Sequence, residues 1–312
     1  MLEVKRYESI YKPLWDEFIG RSKNALFLFY RDYMDYHADR FIDHSLMVFD
    51  GKKLIGVLPA NIKDGVMASH GGLTFGGFLS DRHMKAALML DVFSAVMQFC
   101  RSKGICKILY KAIPYIYHDI PAQEDLYALF RNRARLIRRD ISSCIDLTQP
   151  VCISRGRKTH INRAKKTGMT VCQNTDFLQF MHILTTGLKE KYNVKPPHTL
   201  SEIECLAGRF PKNIKLYSSY LDNDMLAGVI IFESRHVAHA QYTMSSSKGK
   251  SCNALDILFD NLINEVYVKK KSYFDFGIST EREGLFLNEN LIFFKEGFGA
   301  RALVHDFYEL DL

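Results

Sequence analysis

The chain has 312 residues, 47% of them hydrophobic and 25% charged, which sets aside a disordered polymer and leaves room for two domains of roughly 150 residues each. No apolar run reaches the roughly 20 residues that a bilayer span needs, and the opening Met1-Leu-Glu-Val-Lys-Arg-Tyr carries no basic-then-apolar leader, so a cytoplasmic protein without a membrane span is expected. The formal charge of +7 suits an anionic small molecule as well as a nucleic acid, and seven cysteines with neither CxxC nor Cys–His zinc spacing point to free thiols and no metal.

In chain order, Tyr11 to Ser22 and Phe29 to Phe41 read as helices. Asp50-Gly-Lys-Lys-Leu54-Ile-Gly56-Val57-Leu58 joins strand to strand through a polar turn, which is a hairpin pattern. A strand near 67–72 follows, and then a helix with Met84, Leu88, Val92, Val96 and Phe99 on one face. A strand at 105–110, a helix at about 122–136 and a strand at 142–147 ending in Asp-Leu complete the half. Thr148-Gln149-Pro150 then breaks the pattern.

The same order returns. Helices near 175–192 and 200–210 precede Asp222-Asn-Asp-Met-Leu226-Ala-Gly228-Val229-Ile230, which repeats Asp, Leu, Gly and Val at the spacing of the first hairpin. A strand at 237–246 leads to a helix with Leu255, Leu258, Leu262 and Val266 on one face and Asn253 as its N-cap. A strand at 273–277, a helix at about 286–296 and a strand at 306–312 close the chain, again on Asp-Leu. Elements recurring in this order at an offset of roughly 165 to 172 positions indicate a duplicated unit, with two unrelated α/β halves as the alternative. The expected division is 1–150 and 151–312, each an α/β unit with a mixed sheet.

Several segments carry a family resemblance. They are Trp15-Asp-Glu-Phe18, Asp39-Arg-Phe-Ile-Asp-His-Ser-Leu46, Leu58-Pro-Ala-Asn61, Ser69-His-Gly-Gly-Leu-Thr-Phe-Gly-Gly77, Thr159-His-Ile-Asn-Arg-Ala-Lys-Lys-Thr-Gly168, Tyr273-Phe-Asp-Phe-Gly277 and Phe294-Lys-Glu-Gly-Phe-Gly299. Together with the element order they resemble the N-acetyltransferase (GNAT) superfamily. In tandem they resemble its Fem-like branch and a related group of acetyltransferases among bacterial surface-polysaccharide enzymes. The resemblance implies two tandem GNAT-like N-acyltransferase domains, acetyl-CoA or another acyl-CoA as donor, and as acceptor the amino group of a sugar or nucleotide-linked sugar in surface-polysaccharide or cell-wall assembly. Two alternatives are a Fem-like transferase using aminoacyl-tRNA on a cell-wall precursor and a GNAT-fold binding protein without catalysis. Only Gly249 matches the superfamily's Gln/Arg-x-x-Gly-x-Gly/Ala loop, which is the best support for the last.

Acyl transfer needs a placed donor, a base, donors for the oxyanion and an acid for the leaving group. Ser247, Lys248, Gly249, Lys250 and Ser251, ahead of a helix, are the expected donor-phosphate loop, or else a solvated loop. The cluster Gly71, Gly72, Gly76 and Gly77 is the first-half equivalent, or simple turn geometry. Alternation places His239, Gln241 and Thr243 on one strand face, a polar face where a central strand should be apolar. His239 is the candidate base, with Gln241 and Tyr242 holding the acceptor; a satisfied core histidine is the alternative. Asp275 would orient His239 or hold the amine, or else cap a loop. Asn288 and Lys295, about two helical turns apart, are expected on one face, Asn288 toward substrate and Lys295 toward the oxyanion or a phosphate. Glu281 and Glu283 are further candidate bases, or exposed carboxylates. Tyr30, Arg31, Tyr36, Arg40 and His70 are expected to build the acceptor pocket, the arginines gripping phosphate or else pairing on the surface. Arg131, Arg133, Arg135, Arg138 and Arg139 are read as ending a helix, whereas Arg155, Arg157, Lys158, Arg163, Lys165 and Lys166 ride on another that contacts phosphate, tRNA or only solvent.

Overall fold

The computed structural model describes residues 2–312. The first part of the chain forms β1 (Leu2–Arg6), α1 (Lys12–Arg21), α2 (Arg31–Met34), β2 (Leu46–Asp50), β3 (Lys53–Leu58), β4 (Asn61–Lys63), β5 (Val66–Ala68), β6 (Leu79–Ser80), α3 (Ala86–Ser102), β7 (Lys107–Lys111), α4 (Glu124–Arg131) and β8 (Arg135–Asp146). The second part forms α5 (Arg155–Lys166), β9 (Thr170–Asn174), α6 (Phe177–Tyr192), α7 (Leu200–Arg209), β10 (Ile214–Leu221), β11 (Asp224–Glu233), β12 (Val237–Ser245), α8 (Ser247–Ser251), α9 (Ala254–Asn261), β13 (Tyr273–Ile278), β14 (Thr280–Glu281), β15 (Phe286–Leu287), α10 (Glu289–Glu296) and β16 (Arg301–Asp311).

Contacts divide the chain into two compact units. Unit 1 holds the chain up to Ile141 with Arg282–Phe286 and Val304–Leu312; unit 2 holds Ser142–Glu281 and Leu287–Leu303. In unit 1, β1-β2-β3-β6 form one sheet, and β4, β5, β7 and β16 are successive neighbours in another. The apolar face of α3, with Met89, Val92, Phe93, Val96 and Cys100 buried at helical spacing, joins Leu46, Val48, Leu58 and Tyr110 in a single core. In unit 2 the strands run β13-β12-β11-β10-β9, and β11 is buried at every position after Asp224. Such a strand is apolar on both faces because helices cover both. Ala254, Ile257 and Leu258 of α9 pack with Val229, Ile231 and Phe274 in its core.

Both expected hairpins are present, as β2–β3 and β10–β11. Asp222 and Asn223 have φ of 51° and 68°, the paired left-handed conformation that a tight two-residue hairpin turn demands and that Asp and Asn tolerate. The helix expected over Phe29–Phe41 shortens to α2 between 3₁₀ turns. The helix expected to reach 136 ends at Arg131, and Arg133 has φ of 58°. Arg135, Arg138 and Arg139 therefore sit on a strand, where they pair with Glu309, Asp140 and Asp306 respectively, and they do not end a helix.

The closing strands depart furthest from local expectation. Ser142, Cys144, Ile145 and Asp146 of β8 pair antiparallel with β13 of unit 2. Phe307–Asp311 of β16, at the end of the chain, pair with β7 of unit 1. Each half does end in a strand, but in each case the strand completes the sheet of the other half. A period-two pattern states which face of a strand is apolar, not which sheet it joins.

Candidate functional site

The site in unit 2 begins with a register fault. Ile230 pairs with Tyr242 and Ile231 with Ala240, so Gln241 is an extra residue bulging from β12. The neighbouring parallel pair is short: β12 and β13 are in register only from Val237–Tyr273 to His239–Asp275, although β12 runs on to Ser245 and β13 to Ile278. Beyond His239 and Asp275 the two strands have no further register, which makes a fork in the sheet.

Asp275 lies at that fork and is fully buried. One carboxylate oxygen is 2.9 Å from His239 Nδ1. The other accepts from Ser142 Oγ at 2.5 Å and from the Gly277 amide at 3.0 Å. Three donors satisfy a carboxylate that would otherwise be costly to bury. The bond to Asp275 favours the His239 tautomer with the proton on Nδ1, which puts the basic lone pair on Nε2. Gly277 has φ of 77°, a backbone conformation open to glycine, and a Cβ there would stand 3.5 Å from His239 Cε1.

Lys295 arrives from α10. Its side chain is 5% exposed, and Nζ donates to the carbonyls of Gly277 and Ile278, both at 2.7 Å. Burial pulls its pKa down to about 8, with the Asp275 charge acting in the opposite direction. His239, Asp275 and Lys295, 56 positions apart from first to last in the sequence, thus meet through one carboxylate and the turn after β13.

The other expected residues are placed as follows. Gln241 occupies the bulge, and its Oε1 is buried without a hydrogen-bond partner among the described residues. The Tyr242 hydroxyl meets His198 Nδ1. Asn288 is not on the helix face of Lys295: it is the N-cap of α10, accepting from the Leu291 amide at 3.1 Å and donating to Glu281 at 2.9 Å. The stretch Ser247–Ser251 is a single helical turn, not a loop, because Ser246 caps it by accepting from the Gly249 amide at 3.0 Å. Gly249 is buried where a Cβ would lie 2.3 Å from the Leu226 carbonyl, while Lys248 pairs with Asp224 at 3.0 Å and Lys250 is exposed. Asn253 does stand before α9, but with φ of 57° and no side-chain cap bond.

Unit 1 holds the remaining group. Arg31 is 3% exposed, pairs with Asp35 and with Asp43 at 2.9 Å, and stacks over Tyr7 at 3.9 Å, so its forked donors are engaged inside the unit. Tyr30 is half-buried. Tyr36 stacks on His37 at 4.3 Å, with the exposed Arg40 5.7 Å from the Tyr36 ring. His70 is buried against His37 and Phe41, and burial, reinforced by nearby cations, lowers its pKa to about 3, so it is neutral near pH 7. Sequence reading passed over Ser142 and His198. Neither has a local signal, since each meets its partner across a long loop of chain.

Residues 155–283 match the family model of the acetyltransferase (GNAT) domain. No curated protein matches the chain. Among solved structures, FemX superposes with a TM-score of 0.69 at 10% identity, covering 99% of this chain and 97% of its own. The tandem GNAT protein from the clavulanic acid biosynthesis pathway superposes with a TM-score of 0.54 at 10% identity, covering 100% and 98%. L-PGS from Bacillus licheniformis gives 0.58 at 13% identity, covering 85% and 83%. The chain has a tandem GNAT fold. Within that fold the bulged β12, the fork with β13 and the α8–α9 segment lie in the part that the GNAT family model covers. Among the described residues no helix is long and apolar enough to cross a membrane, and no three His, Cys, Asp or Glu side chains gather as a metal would require.

Proposed function

We propose that this protein is an N-acyltransferase that moves an acyl group from an acyl-CoA thioester to the amino group of a sugar or nucleotide-linked sugar, in surface-polysaccharide or cell-wall assembly. The observation that carries the reading is the fork between β12 and β13 with His239, Asp275 and Lys295 gathered at its closed end. Strand backbone that has left its ladder can bond the amides of the donor's pantetheine arm. His239 Nε2 takes the proton from the amine as it attacks the thioester carbonyl, and Asp275 steadies the imidazolium. Lys295 supplies positive charge for the tetrahedral oxyanion, and the coenzyme A thiolate leaves and is protonated. The sugar acceptor rests on the resemblance of the first-half segments to polysaccharide-associated acetyltransferases.

Calorimetric titration with acetyl-CoA, with coenzyme A as control, tests the donor. Saturable binding, followed by acetylated product from a panel of nucleotide amino sugars, is the expected result. Absence of binding up to millimolar concentration removes the acyl-CoA reading.

A second reading, transfer from aminoacyl-tRNA, is favoured by α5. Arg157 pairs with Asp256 and Lys165 with Asp260, but Arg155, Lys158, Arg163 and Lys166 are exposed along the same helix. That reading requires RNA binding that weakens steeply with salt, and less steeply once Arg163 and Lys166 are changed to Ala.

A further inference from the structure

The ladder between β8 and β13 is faulted beside the candidate site. Asp275 pairs with Cys144 and Ile278 with Ser142, so β13 carries one residue more than β8 between those two pairs. Gly277, with φ of 77°, lies in that stretch, and a left-handed glycine is a usual part of such a bulge. A bulge interrupts the ladder, so backbone pairing holds this part of β13 to β8 less firmly than regular pairing would. The carbonyls of Gly277 and Ile278 are taken instead by Lys295 of α10.

The Ser142 hydroxyl bridges the fault. Ser142 is fully buried, and its Oγ donates to Asp275 at 2.5 Å. The last torsion of an aspartate is soft, with broad and roughly two-fold preferences, so a buried carboxylate keeps one orientation only where its partners impose it. Two of the three partners of Asp275 impose little. The Gly277 amide belongs to the same turn and moves with it, and His239 is the group to be held. Ser142 is the partner fixed on a separate strand. Its bond to an ionised oxygen is charge-assisted and stronger than a neutral one. That bond ties one carboxylate oxygen to β8 and leaves the other for His239 Nδ1 at 2.9 Å.

We infer that Ser142 is a positioning residue for the His239 base: it acts through Asp275, whose carboxylate it holds in the one orientation that meets Nδ1 and keeps Nε2 free for the acceptor amine. The kinetic consequence rests on the acyl-transfer reading, and the geometry does not. The other titratable groups around Asp275 are Lys295, with its pKa near 8, and the Cys144 thiol, which burial and Asp275 keep protonated. The imidazole titration is therefore read below pH 7, where both keep their protons.

The test compares the wild type with Ser142→Ala and Ser142→Thr, each checked by its melting temperature. The His239 imidazole is followed by NMR, its signal assigned by loss in His239→Gln. Without the hydroxyl the carboxylate charge is less satisfied, and the pair holds a proton more tightly. In Ser142→Ala the titration midpoint should therefore move to higher pH, and Ser142→Thr, which keeps a hydroxyl, should bring it back. Turnover of acetyl transfer should fall by about tenfold in Ser142→Ala with KM unchanged. Added to Asp275→Asn, the same change should cost little more, because the two act as one unit. A midpoint that Ser142→Ala leaves in place overturns the inference, as does a full further loss in the double variant. A protein that neither binds acetyl-CoA nor transfers acetyl overturns the acyl-transfer reading alone, because the titration decides the role of Ser142 without it.

Discussion

Lys295→Met should change how stability depends on pH. In the wild type the ammonium is buried and its pKa stands at about 8 instead of 10.5. The folded state therefore holds that proton less tightly than the unfolded chain does. The unfavourable contribution is fully present below pH 8 and is relieved as the pH rises from 8 to 10.5. A displacement of that size corresponds to about 3 kcal/mol, an order-of-magnitude figure for a side chain this deeply enclosed. Methionine keeps the length and removes the titration, although it also leaves the Gly277 and Ile278 carbonyls without their donor. The assay is urea unfolding of both proteins at several pH values from 7 to 11. Other lysines and tyrosines titrate in both, so the difference between the two curves isolates Lys295. The wild type should gain about 3 kcal/mol on the variant across that window. A difference that stays flat with pH would refute the burial argument, whatever its value at pH 7.

Asp275→Asn should lower the turnover of acetyl transfer by roughly 10²–10⁴-fold, because an amide no longer stabilises the His239 imidazolium, and His239→Gln should fall in the same range. Kinetics on any acceptor found by the sugar panel measures both, and loss confined to KM would contradict the assigned roles. Gly249→Ala brings a Cβ to 2.3 Å from the Leu226 carbonyl and should cost about 1–3 kcal/mol, read as a lower melting temperature of unit 2. Lys23 is 3% exposed and paired with the half-buried Glu124, so Lys23→Ala, which leaves that carboxylate without its cation, should cost unit 1 about 1–3 kcal/mol in denaturant unfolding.

Much of the fold was legible in local patterns. The left-handed turn at Asp222-Asn223, the face of α3 and the apolar β11 each follow from residues close together in the chain. The candidate site was legible only in part. His239 and Asp275 drew notice because polar residues interrupt strands that should be apolar, and Lys295 because it stands in the Phe294 to Gly299 segment. Arg31 shows the reverse case: its residue type suggested phosphate binding, the structure pairs the buried guanidinium with Asp35 and the half-buried Asp43, and nothing local indicates that pairing.

The sequence by itself therefore determined the kinds of element, their order and the faces they bury, because helix and strand periodicity act over a few residues. The tertiary structure decided which sheet each closing strand completes, where β12 bulges and where it parts from β13. It also decided that Ser142 meets Asp275 across 133 positions and that Lys295 anchors the turn after β13. Those contacts depend on register and packing between distant segments, and no local pattern encodes the partner.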